Sequence, residues 1–391
     1  MIDSQCSGLL GQMTPSATLA ISSKAKALKA AGEDVCSMSA GEPDFDTFEV
    51  IKDACIKALK EGKTAYTPAS GVPELKKAIV AKFKRDNGIN TVPEQVVVAP
   101  GAKYACFDVI AALCCPGDEV IIPAPYWLSY PEMVRGVGAV PVYVETTAAN
   151  NYELLPQDLE KAITSKTKLL ILNTPSNPTG AVYRRATLEA IAEIAVRRDI
   201  MIMSDEIYEK LVYDAELPHI SIASLSPEIA ARTVTVNGFS KSYAMTGWRL
   251  GYLNAPLWLA KRIIAFQSHT ISNPTTFTQY GALAALEQCD GQVEDMRKIF
   301  AHRRDMIVKL LADVPKVKFI RPAGAFYVFC DVSAFGIGSV EFCDRLLAEE
   351  KLAAIPGEFF GAPYSVRLSY ACSESTIEKA VARFKKFCAS L

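Results

Sequence analysis

Seven short apolar runs between about residue 48 and residue 285 constrain the fold of this chain more than any other feature. They are nearly continuous in valine, isoleucine and leucine. They lack the alternation of apolar and polar residues that is typical of a strand with one solvent-exposed face. The runs occupy residues 94–100, 118–125, 139–145, 168–175, 199–206, 232–239 and 249–256. Helical patterns such as 103–115 and 186–199 fill the gaps between them. The sequence therefore predicts α/β architecture, with a mostly parallel seven-stranded sheet covered by helices.

The pattern changes towards the carboxyl end of the chain. A long charged helical pattern at 292–314 is followed by an apolar segment, a second helical pattern, a strand pattern and a closing helical pattern. Mixed strands and helices of this kind are typical of a smaller α+β domain. A length of 391 residues, half of them hydrophobic, is enough to build two cores.

Composition excludes several classes of partner. The formal net charge is −1 with acids and bases interspersed, which favours neither nucleic acid nor an anionic membrane as a partner. No apolar stretch reaches the ~20 residues of a membrane-spanning helix, and the amino-terminal residues lack a signal-peptide pattern. The eleven cysteines are odd in number and include no C-x-x-C pair, so reduced thiols and a cytoplasmic location are expected.

Metal and dinucleotide sites are also disfavoured. The three histidines, His219, His269 and His302, do not stand at metal-ligand spacing from another histidine or a cysteine. The segment "GVGAVP" at 136–141 lacks the third glycine of a dinucleotide-binding loop. We therefore expect neither a bound metal nor a nicotinamide cofactor.

Polar and aromatic residues of unusual type follow the predicted strands. In open parallel sheets, ligands bind beyond the carboxyl ends of the strands, so these residues are expected to converge on one crevice. They are Gly101, Lys103, Tyr126, Trp127, Asn173, Asn177, Asp205, Tyr208 and Lys241.

Lys241 is the one lysine in "NGFSKSYAMTGWRLGY", a stretch of small, aromatic and aliphatic residues that is expected to be half buried. Burying an ammonium group is costly unless it is paired, and a desolvated lysine tends to lose its proton. The neutral amine is a nucleophile that condenses with carbonyl groups. Asp205, directly after a buried strand, needs a cationic partner or a helix-capping role.

Pyridoxal phosphate carries groups that match these residues. It offers an aldehyde for Lys241, a ring nitrogen for Asp205, and a phenolic oxygen for Tyr208 and Asn177. Its phosphate suits Arg249 and the backbone amides at Gly101 and Ala102, where a strand passes into a helix. Each fragment also has a simpler explanation: an ordinary turn at Gly101, core packing at Trp127, and a surface hydroxyl at Tyr66.

The ordered set of motifs gives a clearer indication. From about residue 14 onward, the chain contains "SAGEPDFDT", "AYTPASGVPELKKAI", "PGDEVIIPAPYWLSYPEM", "TPSNPTGAVY", "SDEIYEKLVY", "NGFSKSYAMTGWRLGY", "GAFYVF" and "VRLSYA". In this order they resemble the class I aminotransferases of fold type I, specifically the aspartate aminotransferase subgroup that includes aspartate/prephenate aminotransferases. The resemblance implies a large cofactor-binding domain at 48–290. It also implies a small domain made of 1–47 and 291–391.

The resemblance also assigns cofactor contacts. It implies that Lys241 binds the pyridoxal phosphate aldehyde and then moves the proton between the substrate Cα and the cofactor. Asp205 would pair with the pyridine nitrogen, and Asn177 and Tyr208 with the phenolic oxygen. Arg249 would bind the phosphate, together with the turn at Gly101, Ala102 and Lys103, and Trp127 would lie against the ring.

Substrate contacts and assembly follow from the same resemblance. Arg367 would bind the α-carboxylate, helped by Asn177 and the backbone of Gly41, while Lys103 and Trp127 would line the pocket for a second carboxylate. Tyr66 would reach the phosphate of a neighbouring subunit, which implies a homodimer with shared sites. Three positions depart from the usual pattern: Gly238 stands where a phosphate-contacting serine is common, Phe48 where a proline is usual, and Thr14 where a basic residue is common.

Three classes of function remain open on these residues. The leading hypothesis is a ping-pong exchange of the amino group between L-aspartate and 2-oxoglutarate. A glutamate/aspartate-prephenate aminotransferase or a broader amino-acid aminotransferase is the alternative on the same scaffold. A pyridoxal phosphate lyase or synthase would not need the second carboxylate pocket, and a regulator would need a DNA-binding module for which no residues are left.

Overall fold

The computed structural model describes Gly11 and residues 13–391. The thirteen α-helices of this part are α1 Ala17–Ala30, α2 Glu49–Lys60, α3 Pro73–Asn87, α4 Ala102–Leu113, α5 Ser129–Gly136, α6 Pro156–Ala162, α7 Arg185–Arg198, α8 Pro227–Ala230, α9 Leu257–Thr270, α10 Thr276–Gln288, α11 Asp290–Ala312, α12 Ser339–Glu350 and α13 Glu374–Ser390. The strands of the same part are β1 Cys36–Ser37, β2 Val96–Ala99, β3 Glu119–Ala124, β4 Val140–Glu145, β5 Thr167–Asn173, β6 Met201–Asp205, β7 Thr233–Gly238, β8 Gly251–Asn254, β9 Lys318–Phe319, β10 Tyr327–Asp331, β11 Leu352–Ala353, β12 Ile355–Pro356 and β13 Ser365–Ser369.

A seven-stranded sheet forms the centre of the larger part. Its strand order is β2-β8-β7-β6-β5-β3-β4. Strand β8 runs antiparallel to both of its neighbours, and the other neighbouring pairs are parallel. All seven strands predicted from apolar runs are present, so the predicted fold class is confirmed.

Burial on both faces explains why these strands read as continuous apolar runs. Successive residues of a strand point to opposite faces. In β5, Leu169 and Ile171 pack with α4, α5 and α9, whereas Leu170 and Leu172 pack with α6 and α7. Residues at or just beyond the ends of β5, β6 and β7, among them Asn173, Asp205 and Lys241, line a cavity at the carboxyl edge of the sheet.

The smaller part has its own sheets and core. Strands β12, β13, β10 and β9 form an antiparallel sheet in that order, and α11, α12 and α13 pack against it. Strand β1 pairs in parallel with β11, which joins an amino-terminal segment to the carboxyl-terminal part of the chain. This pairing supports the domain division 1–47, 48–290 and 291–391, which we propose; residues 1–10 and 12 lie outside the described part.

The cysteines are unpaired in the described residues. Ten free thiols are found there, most of them buried. Burial suits cysteine as a small core residue. Within the described residues, the helices are all too short or too polar to span a membrane.

Candidate active site

A cavity of about 660 Å³ opens between the carboxyl edge of the large sheet, helix α1 and strand β13. Six basic side chains line it, against the two carboxylates of Glu42 and Asp205. The basic residues are Lys26, Lys29, Lys103, Lys241, Arg249 and Arg367. This excess of positive charge, in a crevice with partly apolar walls, favours ligands with several negative charges.

Lys241 lies just beyond the end of β7. Its Nζ donates a hydrogen bond to the carbonyl oxygen of Gly41 and lies 5.9 Å from the centre of the Tyr208 ring. Burial lowers the pKa of Lys241 to about 8, and the charges of Arg367 and Arg249 act in the same direction, although Glu42 opposes them. A share of Lys241 is therefore an uncharged, nucleophilic amine near neutral pH.

Asp205 ends β6 and is buried. Its Oδ2 accepts a hydrogen bond from the Tyr130 hydroxyl at 2.7 Å and lies 3.7 Å from the Cys106 Sγ, while the amide of Ile207 donates to Oδ1 at 3.2 Å. Burial raises the pKa of Asp205 to about 6 in spite of these donors. A cation at this position would stabilise the ionised carboxylate.

An anion-binding turn stands beside Lys241. Gly101 caps the amino end of α4 with φ 90° and ψ 158°, a conformation that is nearly confined to glycine. A Cβ at this position would lie 2.7 Å from Nη2 of Arg249. The Arg249 guanidinium donates to the carbonyl oxygens of Thr246 at 2.8 Å and Pro100 at 3.4 Å. The free amides of the first turn of α4 and this guanidinium thus face the same space.

Arg367, in β13, is a buried guanidinium whose polar contacts are all to neutral acceptors. Nη1 donates to Oδ1 of Asn177 at 2.9 Å and Nη2 to the carbonyl oxygen of Ser39 at 3.0 Å. Nε is buried and has no hydrogen-bond partner among the described residues. The ring of Tyr327 lies 4.4 Å from Cζ. A buried arginine with unused donors and a fixed fork is suited to a carboxylate ligand.

Lys103 and Trp127 form another wall of the cavity. The Nζ of Lys103 lies 4.9 Å from the centre of the Trp127 ring, within the range of a cation–π contact. Burial, followed by the charge of Arg249, lowers the pKa of Lys103. A carboxylate bound beside Lys103 would raise its pKa again, because it would offset both the burial and the charge of Arg249.

Tyr208 contacts a tyrosine of the smaller, carboxyl-terminal part of the chain. Its hydroxyl lies 2.9 Å from the hydroxyl of Tyr327, which belongs to the smaller part. Both tyrosines are buried and line the cavity with Asn177. Their hydroxyl groups can donate to an oxygen atom of a bound ligand.

The structure brings together most of the side chains that the sequence indicates. The cavity lining contains Gly41, Ala102, Lys103, Trp127, Asn177, Asp205, Tyr208, Lys241, Arg249 and Arg367. Gly101 lies next to this lining, against the Arg249 guanidinium. Tyr66 is outside the lining and 88% exposed. Ser240 lines the cavity, whereas a Cβ at Gly238 would lie 3.1 Å from Ile207, which leaves little room for a side chain there.

Sequence reasoning missed several contacting residues. Tyr130 lies only three positions after Trp127, and Tyr327 is in "GAFYVF", but neither shows by its type that it points into the cavity. Ser39 contributes a carbonyl oxygen, which no side-chain pattern reveals. The contribution of α1 was also missed, because an exposed, partly polar helix gives no signal of what it covers.

A large, mostly parallel sheet with a nucleophilic lysine, a buried acid and several cations at its carboxyl edge is suited to a protein that acts on a negatively charged carbonyl or amino compound. Comparison with known proteins gives a narrower answer. The family model for aminotransferase class I and II matches residues 33–384, and the chain belongs to this family.

Close relatives cover nearly the whole chain. An aspartate aminotransferase of Bacillus sp. (strain YM-2) is 48% identical over 380 residues, covering 96% of this chain and 97% of the relative. A probable aspartate/prephenate aminotransferase of Aquifex aeolicus is 46% identical over 382 residues, with coverage of 96% and 97%. The solved structure of the Thermus thermophilus aspartate aminotransferase with maleate matches with a TM-score of 0.94 at 43% identity, covering 98% of this chain and 99% of the other.

Membership of this family implies dependence on pyridoxal phosphate. The residues of the cavity fit that group. The lowered pKa of Lys241 leaves part of it as an uncharged amine, and the buried carboxyl of Asp205 has no ion pair among the described residues. The space between Gly101 and Arg249 suits an anion, and a Cβ at Gly101 would enter it. The Nε of Arg367, which has no hydrogen-bond partner among the described residues, is also free to donate to an acceptor.

Proposed function

We propose that this chain exchanges the amino group between L-aspartate and 2-oxoglutarate by a ping-pong mechanism. The observation that carries the proposal is the set of cations at three separate places in one cavity: Arg249 at the anion-binding turn, Arg367 in β13 and Lys103 beside Trp127. These suit a cofactor phosphate, an α-carboxylate and a distal carboxylate, respectively.

Three groups of the chain would hold the cofactor. When bound, pyridoxal phosphate supplies an aldehyde for attachment and a ring that can accept the electron pair left at a substrate Cα. Asp205 would keep a proton on the ring nitrogen, and Tyr208 and Asn177 would hydrogen-bond the phenolic oxygen. Arg249, with the amides of Gly101 and Ala102, would bind the phosphate.

Lys241 would have two duties. As an uncharged amine it would hold the cofactor through its aldehyde, and it would accept the proton from the substrate Cα. Its pKa of about 8 leaves a useful fraction of amine at neutral pH. The carbonyl oxygen of Gly41 holds the Nζ at the side of the cavity where Arg367 lies.

Arg367 and Lys103 would select the substrate. The fork of Arg367 fixes the α-carboxylate, and its bonds to Asn177 and Ser39 orient that fork. Lys103 would bind the second carboxylate through its ammonium group. The related Thermus thermophilus structure was solved with maleate, a dicarboxylate, which supports a pocket for two carboxylates.

A second candidate on the same site is an aspartate/prephenate aminotransferase. Relatives that carry this name reach 46% identity, nearly as much as those named aspartate aminotransferase. Thr14, where a basic residue is common in the subgroup, is exposed, and its amide donates to Glu132 at 3.1 Å. A basic residue there can help hold a second carboxylate, so its absence weighs against tight binding of prephenate and of other dicarboxylates alike.

The proposal includes a cytoplasmic homodimer with shared sites. Tyr66 is 88% exposed in the single chain, as expected for a hydroxyl that reaches the phosphate in a neighbouring subunit. The unpaired cysteines support the cytoplasmic location, because the cytoplasm keeps thiols reduced. Light scattering of the purified protein measures the assembly, and mixing Tyr66→Phe with Lys241→Ala subunits tests whether sites are shared.

Half-reactions test the function. L-aspartate should convert the absorbance of the bound aldehyde to that of the amine without releasing ammonia or pyruvate, and 2-oxoglutarate should restore it. Release of ammonia or pyruvate would identify a lyase instead. Amino transfer to prephenate at a rate that exceeds transfer to 2-oxoglutarate would favour the second candidate.

A further inference from the structure

Two of the six basic residues that line the cavity have no part in the proposed function. They are Lys26 and Lys29, and both belong to helix α1. Each is exposed to solvent and also lines the cavity, so both lie where the cavity opens. We call Lys26 and Lys29 the lysine rim.

The spacing of residues along α1 explains why these two lysines point the same way. Residues three or four positions apart share one face of a helix. Ser22, Lys26 and Lys29 follow that spacing, and all three line the cavity. Lys24 is outside the lining, and its ammonium lies 3.8 Å from Oδ1 of Asp344 in α12. Helix α1 therefore presents two lysines to the cavity and a third to α12.

The lysine rim forms no ion pair with the residues that the structure describes. The acids that follow α1 are bound by other cations. Glu33 lies 3.5 Å from the ammonium of Lys351, and the carboxylate of Asp34 is bound by Lys379 and Arg383. Two uncompensated positive charges therefore remain at the opening.

The acids on the other walls of the cavity do not cancel these charges. Asp44 is bound by Arg303 at 2.6 Å. Glu42 lines the cavity and accepts a hydrogen bond from the Thr246 hydroxyl at 2.9 Å, and Asp205 is buried. Six basic groups stand against two carboxylates in the lining, while the whole chain has a formal net charge of −1. The attraction for anions is therefore local to this cavity and its opening.

We propose that the lysine rim guides anions into the cavity: its charges raise the rate at which dicarboxylate substrates and the phosphate-bearing cofactor enter, without holding them afterwards. For the substrates, the inference rests on the proposed function. Charges at the edge of a binding site change the rate of association and its dependence on salt more than they change the bound state. A lysine ammonium is a strongly hydrated charge on a flexible stem, which suits attraction at a distance better than a fixed contact.

The first test follows the uptake of pyridoxal phosphate by the apoenzyme in a stopped-flow experiment. The double variant Lys26→Gln/Lys29→Gln removes both charges and keeps polar side chains on an exposed face. Charges act over about 30 Å at 0.01 M salt and over about 3 Å at 1 M salt. We expect the second-order rate constant of the variant to be about three- to tenfold lower at the low salt concentration and nearly unchanged at the high one.

Lys24→Gln is the matched control, because it removes an exposed lysine of the same helix from the side that faces α12. Its rate constant should stay within about twofold of that of the unaltered protein at both salt concentrations. Equal losses in the control and in the double variant would show that total charge sets the rate, and would overturn the proposal. An unchanged rate in the double variant at low salt, or a loss that persists at 1 M salt, would also overturn it.

Binding of maleate to the holoenzyme tests the same step for a dicarboxylate that has no amino group to transfer. We expect the double variant to slow association at low salt by about three- to tenfold and to change dissociation by less than about twofold. Faster dissociation by the same factor would place the lysines in contact with the bound ligand and would contradict guidance at a distance.

The two ligands separate this inference from the proposed function. Slower uptake of pyridoxal phosphate in the double variant, in a protein that does not bind maleate, would support the lysine rim and end the assignment of a dicarboxylate pocket. Unchanged rates for both ligands in the double variant, with normal transfer of the amino group from L-aspartate, would end this inference alone.

Discussion

Arg367→Met gives the sharpest prediction about substrate binding. Methionine is similar in length, carries no charge, and can pack between the rings of Tyr327 and Phe360, which lie 4.4 and 5.1 Å from the guanidinium carbon. Arginine has five N–H donors, of which two are used by Asn177 and Ser39. The remaining donors are enough for a bidentate contact with one carboxylate.

The magnitude follows from the burial of this arginine, which is 2% exposed. Breaking a buried, hydrogen-bonded charge pair by removing one partner costs about 3–5 kcal/mol. We therefore expect kcat/KM for L-aspartate to fall roughly 10²- to 10³-fold or more. Arg367→Lys keeps the positive charge but loses the two-pronged guanidinium group. Its kcat/KM for L-aspartate should therefore lie between those of Arg367→Met and the unaltered protein.

The assay is a single-turnover half-reaction followed by cofactor absorbance. β-Alanine, which is aspartate without its α-carboxylate, serves as the control substrate because it cannot use the proposed contact. The preference for L-aspartate over β-alanine should collapse in Arg367→Met, while thermal unfolding confirms that the variant is folded. Equal losses for both substrates would refute the assignment of Arg367 to the α-carboxylate.

Three further predictions concern the other cations and the turn. Lys103→Ala should raise KM for aspartate about tenfold or more and change KM for an aromatic amino acid much less, and equal effects in steady-state assays would remove Lys103 from substrate selection. Gly101→Ala should weaken cofactor binding by about ten- to a hundredfold, because φ 90° is strained for alanine and the Cβ would contact Arg249. Fluorescence titration of the apoenzyme with pyridoxal phosphate measures the affinity. An unchanged affinity would contradict the proposal that this turn binds the phosphate. The rate at which the apoenzyme takes up the aldehyde should rise with pH and level off above about pH 8, because the lowered pKa of Lys241 makes its side chain an uncharged amine there. A rate that keeps rising until about pH 10.4, the ordinary pKa of an exposed lysine, would contradict the conclusion that burial lowers the pKa of Lys241.

The strands of the large sheet could be predicted because burial on both faces leaves a direct trace in composition. The run 249–256 shows the limit of that signal. It marks β8 correctly, but an apolar run has no direction, and β8 is antiparallel to both neighbours. Strands β1, β11 and β12, of two residues each, fall below the length at which any periodicity can be recognised.

The part of the site that could be predicted consists of residues that come at or soon after the ends of the strands. Asp205, Asn177 and Lys241 come together because the carboxyl ends of parallel strands share an edge. Arg367 is in a different sheet, and its proposed role follows from the family resemblance rather than from its spacing in the sequence.

Mapping the attachment site of the cofactor tests the central claim most directly. The holoenzyme is reduced with borohydride, digested, and analysed by mass spectrometry. We predict one modified lysine, Lys241, and the loss of both the modification and the aldehyde absorbance in Lys241→Ala. A cofactor attached to Lys103 or to any other lysine, or a Lys241→Ala protein that transfers amino groups at a normal rate, would contradict the account.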